Sequence, residues 1–117
     1  MPRLPEAPSA GPATRRMSPM RMCMKAQVPA DGATNISDEE WPARLKQMLD
    51  MLKPEAAYFF PQDGMRTMMI FFDMEDVSMM PVISNPMFDD VHAKITFSPA
   101  MNLDDLMAGL KKAQNNR

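Results

Sequence analysis

Apolar and polar positions along the chain mark out four strands and three helices. From Arg21 to Val28, Met22, Met24, Ala26 and Val28 alternate with Cys23, Lys25 and Gln27, the period of a strand with one apolar face. Ser37-Asp38-Glu39-Glu40 then reads as a capping box, with Ser37 as N-cap and Glu40 at the third helical position. Trp41, Leu45, Met48, Leu49 and Leu52 follow at helical spacing. Pro42 stands late for that cap, so the spacing predicts an irregular first turn or a regular helix beginning nearer Trp41. Lys53-Pro54 ends the helix.

The stretch Ala56 to Asp73 is the apolar centre of the chain. Tyr58, Phe59 and Phe60 precede a Pro-Gln-Asp-Gly turn, and Met68 to Phe72 follow it. Aromatic and branched residues suit a pleated surface, and Asp63-Gly64 is a strong hairpin signal. A three-residue loop Gln62-Asp63-Gly64 would pair Pro61 with Met65 and Tyr58 with Met68. One face then carries Tyr58, Phe60, Arg66, Met68, Ile70 and Phe72, the other Phe59, Thr67, Met69 and Phe71. Both faces are mainly apolar, so each needs a cover, one from helices and the other from a partner.

Beyond the hairpin, Ser78 is a candidate cap with Pro81 in the first turn and Met79, Val82, Ile83 and Met87 on the apolar side. Pro86 predicts a short helix that kinks or ends there. Val91, Ala93, Ile95 and Phe97 alternate with His92, Lys94, Thr96 and Ser98, a half-polar strand. Asn102 caps a last helix with Asp105 near its positive end, Leu103, Leu106, Met107 and Leu110 as its stripe, and Lys111 and Lys112 at its carbonyl end. The expected architecture is α+β, a ferredoxin-like βαββαβ unit with a four-stranded antiparallel sheet and an added C-terminal helix.

Composition narrows the partners. At 117 residues the chain has room for one domain. Five of the twelve prolines fall in residues 1–19, a stretch without the apolar area to offset its chain entropy. That predicts a disordered leader over 1–19, a folded domain over 20–113 and a tail over 114–117, with Met20 a candidate start. No run reaches the roughly 18 apolar residues of a membrane span, so no membrane partner is expected. Residues 1–25 carry five basic residues against Glu6, whereas the rest carries eight basic and fourteen acidic. An acidic folded part argues against nucleic acid, whose phosphates need a basic surface. The single cysteine, Cys23, excludes an internal disulfide and fits a reducing cytoplasmic setting.

The segments KPEAAYFFPQDGMRT from Lys53, FFDMED after it and FSPAMNLDDL from Phe97 are similar to a group of small uncharacterised bacterial proteins of the dimeric α/β-barrel superfamily. The resemblance covers about Met20 to Ala113. It implies a homodimer in which each open sheet face meets a second copy. It carries no catalytic motif, because the superfamily includes monooxygenases, isomerases, haem-degrading enzymes and proteins of unknown role.

Candidate chemistry follows from which side chains such an arrangement gathers. If the apolar sides of the outer-sequence strands face the helices, Cys23, Lys25, Gln27, His92, Lys94 and Thr96 face the partner, and Tyr58 and Arg66 join them. Lys25, Gln27, Tyr58, Arg66, His92 and Lys94 are therefore the expected ligand-binding residues, for a hydrophobic or anionic small molecule between subunits. His92, Arg66 and Tyr58 are the catalytic candidates of an alternative reading, a cofactor-free monooxygenase or isomerase. The bland alternative is that these groups hydrogen-bond across the interface or reach solvent. A third reading takes the sixteen methionines as a Met-rich metal or redox-scavenging device. Their spread over every expected element fits an adaptable core better, so no metal site and no cofactor is expected. Asp89-Asp90 and Asp104-Asp105 read as a turn and a helix N-terminus rather than paired catalytic carboxylates.

Overall fold

The computed structural model describes residues 20–30 and 36–116. The expectations for the leader over 1–19 lie outside the described residues. Strand β1 spans Met20–Val28, helix α1 Trp41–Leu52, strand β2 Ala56–Gln62 and strand β3 Met65–Met74. Helix α2 spans Met79–Val91, strand β4 Lys94–Pro99 and helix α3 Leu103–Asn115. The strands form one antiparallel sheet in the order β2-β3-β1-β4. This α+β arrangement is compatible with a ferredoxin-like fold. The prolines within strands, Pro61 and Pro99, both lie on edge strands, where a missing N–H breaks no central ladder.

One face of the sheet is the core. Met22, Met24, Ala26 and Val28 of β1 lie beside Met68, Ile70, Phe72 and Met74 of β3, all buried. Trp41, Leu45, Met48 and Leu49 of α1 and Met79, Met80, Ile83 and Met87 of α2 pack on them. Methionine thus fills the space between sheet and helices, where its unbranched, polarizable side chain adapts to irregular gaps.

Helix α1 starts where Pro42 requires. Ser37 and Glu40 make the reciprocal bonds of a capping box, Ser37 N–H to Glu40 Oε1 at 2.8 Å and Glu40 N–H to Ser37 Oγ at 3.2 Å. They close a single turn, and the regular helix begins at Trp41. Helix α2 corrects the expectation of a short helix: it does not end at Pro86 but runs thirteen residues, through that proline to Val91. Pro86 and Val82 are on the exposed side, where the carbonyl that loses its N–H partner can take water instead. Val82 therefore points outward, and Val91 takes a place in the core.

The hairpin register also differs from expectation. Gln62 pairs with Met65 and Pro61 with Arg66, so the loop is the two residues Asp63 and Gly64, both at positive φ (56° and 73°). Both positive angles mark a type I′ turn, whose twist matches that of the flanking strands. A shift of one residue turns a strand over. Tyr58 now lies beside Met69, and Phe59 beside Met68. Arg66 falls on the helix side, away from Tyr58.

Candidate functional site

The second face of the sheet is built from three cross-strand rows. These are Ala56–Phe71–Cys23–Ser98, Tyr58–Met69–Lys25–Thr96 and Phe60–Thr67–Gln27–Lys94. The face is therefore divided. Its β2/β3 half carries Tyr58, Phe60, Met69 and Phe71, while its β1/β4 half carries Lys25, Gln27, Lys94, Thr96 and Ser98. Helices α1 and α2 both pack on the opposite face, and α3 buries none of its residues. Tyr58 accordingly keeps 62% of its surface exposed.

One polar knot within this face is buried. The Gln27 side-chain amide donates toward Gln62 O at 3.4 Å, Asp63 Oδ2 at 3.3 Å and Thr67 Oγ1 at 3.4 Å. Thr67 Oγ1 in turn donates to Met65 O at 3.2 Å. The contacts are long, and two N–H groups serve three acceptors. The amide is nonetheless engaged with the turn, which makes Gln27 a support of the hairpin more than a free ligand contact.

At the corner where β1 begins, Arg21 forks between two carboxylates. Its Nε donates to Glu55 Oε1 at 2.9 Å and its Nη1 to Asp105 Oδ2 at 2.7 Å. These bonds, that to Glu55 first, hold the guanidinium still more firmly protonated than usual. Asp105 is also the partner of Asn102 in the α3 capping box, with Asp105 N–H to Asn102 Oδ1 at 2.8 Å and Asn102 N–H to Asp105 Oδ2 at 3.1 Å. The Asn102 N–H, and after it Arg21, draws the Asp105 carboxyl below its ordinary range. Burial pushes the Cys23 thiol up, the wrong direction for a nucleophilic thiolate.

The expected site residues divide over three places. Lys25, Gln27, Lys94 and Tyr58 share the second face, although Met69 separates Tyr58 from Lys25 in their row. Arg66 instead lines a cavity of about 560 Å³ on the helix side with Val28, Trp41, Phe59 and Met68. His92 belongs to no strand. It is the C-cap of α2 at φ 55°, with His92 N–H to Phe88 O and Ala93 N–H to Met87 O both at 3.2 Å, the first of them the 5→1 bond of a left-handed helix end. Tyr58, Arg66 and His92 therefore do not open onto one cavity, and the structure gathers no acid–base constellation from them. A further hollow of about 240 Å³ lies between α1 and α2, lined by Leu45, Met48, Ile83 and Met87 and flanked by the Arg44–Asp90 ion pair. Among the described residues no cluster of three His, Cys, Asp or Glu side chains could hold a metal, and no helix is long and apolar enough to cross a membrane.

Two features escaped the sequence reading. Arg21 opened the first strand there and counted among the tail charges, but its carboxylate partners Glu55 and Asp105, 34 and 84 positions away, carry no local signal. The exposure of the α3 stripe has no local sequence signal, because an amphipathic pattern says that a helix has a cover but not where. Set against known protein families, curated proteins and solved structures, the chain matches none.

Proposed function

We propose that this chain is one subunit of a homodimer of the dimeric α/β-barrel kind, whose second sheet face is buried against a second copy and borders a site for a small hydrophobic or anionic molecule. The observation that carries the reading is the division of that face. Its β2/β3 half presents Tyr58, Phe60, Met69 and Phe71, an apolar patch that a folded chain leaves to water at a cost. Its β1/β4 half presents Lys25 and Lys94 as diagonal neighbours, with Thr96 directly opposite Lys25. An apolar wall beside two ammonium groups suits a ligand with an apolar body and an anionic or carbonyl end. Lys25, Lys94 and Tyr58 are the residues that would meet it; Arg66 and His92 lie elsewhere and take no part.

No reaction is assigned to this site. A cofactor-free oxygenase or isomerase would need a base and a polarising group converging on one point, and the three candidates for those roles lie on separate surfaces. Sedimentation at micromolar concentration tests the dimer: a two-chain species is expected, and a well-folded monomer overturns the reading. A thermal-shift screen against haem, flavin and aromatic polyketides tests the ligand, with a rise in Tm that Lys25→Ala and Lys94→Ala reduce as the expected result.

A further inference from the structure

Helix α3 is fully formed, yet among the described residues none of its side chains is buried. Its N-terminus is secured by the Asn102–Asp105 capping box, by Arg21 gripping Asp105, and by the Ala100 N–H donating to Arg21 O at 3.0 Å. Its apolar residues nevertheless stay in water: Leu103 is 70% exposed, Leu106 40%, Met107 57% and Leu110 49%. These four recur at i, i+3, i+4 and i+7, one stripe along one side of the helix. Asp104, Lys111 and Lys112 lie away from the middle of that stripe. Such a pattern belongs to a helix with one side against an apolar surface.

We infer that α3 crosses to a second copy of this chain and lays its stripe on the β2/β3 half of that copy's second face, while the partner's α3 does the same in return. This rests on the dimer proposed above and specifies what covers the apolar half of the face. Two things point to a second copy as the occupant. The first turn of α3 is pinned at the β1 corner of the sheet by a backbone bond and a two-carboxylate fork, and from that anchorage no α3 residue becomes buried on its own chain. The area also fits. The α3 stripe, Met101 and Tyr58, each 40% to 70% exposed, offer several hundred Å² of mainly apolar surface per copy, on the order of the 800 Å² that each partner of a stable complex buries. The exchange is isologous, the same pair of surfaces used twice about a two-fold axis. It covers the outer, β2 side of the apolar half of each sheet and leaves Met69, next to Lys25, as the apolar wall beside Lys25 and Lys94 in the space between the subunits.

The test compares the full chain with the double variant Leu106→Lys, Leu110→Lys. Neither leucine is buried within its own chain, so the sheet and its two covering helices should keep their circular dichroism. The dimer should weaken by on the order of a hundredfold or more, because two charges enter an apolar contact. A variant that remains as firmly dimeric as the parent overturns the helix exchange and leaves the dimer itself standing. A parent chain that is monomeric overturns both. A second measurement separates exchange from folding back: a chain with Tyr58→Cys and Leu106→Cys in a Cys23→Ser background is oxidised. Disulfide-linked pairs of chains are expected, and a bond within one chain overturns the proposal.

Discussion

Both residues of the hairpin turn hold positive φ, and this local choice decides which side chains meet water across the whole β2–β3 pair. A Cβ at Gly64 would touch nothing within 4 Å, so Gly64→Ala isolates the backbone cost of φ 73°. That change should lower stability by about 1 kcal/mol in urea unfolding, without altering the near-ultraviolet signature of the core. An unchanged midpoint would mean that the turn is not held in the left-handed region. The Asp-Gly pair itself was legible in the sequence, but the length of the loop was not. Asp-Gly serves a two-residue turn and a three-residue turn alike. The side chain that joins the shorter loop to the sheet, Gln27, lies 36 positions before Asp63. Cys23 on the neighbouring strand supports a second prediction. Its partial burial keeps the thiol protonated, so iodoacetamide at pH 8 should label it more slowly in the folded protein than in urea. Equal rates would place Cys23 in open water.

Helices show where local signals suffice and where packing overrides them. The Ser37–Glu40 bonds form but close a turn ahead of α1, whose own N-cap, Glu40, receives no side-chain bond, whereas Asn102 caps α3 as expected and Asp105 completes a capping box there. Pro86 shows the opposite case, because a proline on an exposed helical side loses a bond that water replaces, and burial of Ile83, Met87 and Val91 carries α2 onward. The strand expected from Val91 begins only at Lys94 for the same reason: Val91 serves the core better as the last residue of α2, and His92 must then turn the chain. For α3, Asp105 makes the cap sensitive to acid. Its carboxyl is drawn below the ordinary value near 3.8, so its contribution is complete above that value and is lost as pH falls through the lowered one. Amide exchange in the first turn of α3 should therefore quicken as pH drops beneath about 3.8, after allowance for the intrinsic rate, and Asp105→Asn should flatten that dependence. Asn102→Ala should destabilise the same turn by about 1 kcal/mol at neutral pH. Equal protection in both variants would remove the capping box from the account of α3.

At the scale of the whole molecule, among the described residues one sheet face holds two helices and the other holds none, so these residues complete a core on one side only. The sequence carried the need for a second cover, in the apolar residues on both sides of the hairpin. It did not carry the division of that face into apolar and basic halves, because the division follows from register and strand order, which join Tyr58 to Met69 and set Lys25 beside Thr96. If a second copy supplies the cover, association adds to the stability of the folded chain, and stability depends on protein concentration. A tenfold rise in concentration adds RT ln 10, about 1.4 kcal/mol, to the free energy of the dimer. Spread over the unfolding entropy of two chains of this size, that should raise Tm by about 2–4 °C per decade. The slope should vanish in Leu106→Lys, Leu110→Lys, whose Tm should match that of the parent extrapolated to high dilution. A parent Tm that stays constant over two decades of concentration would mean that the apolar face and α3 stripe remain in water when the protein folds, and the dimer would have to be abandoned.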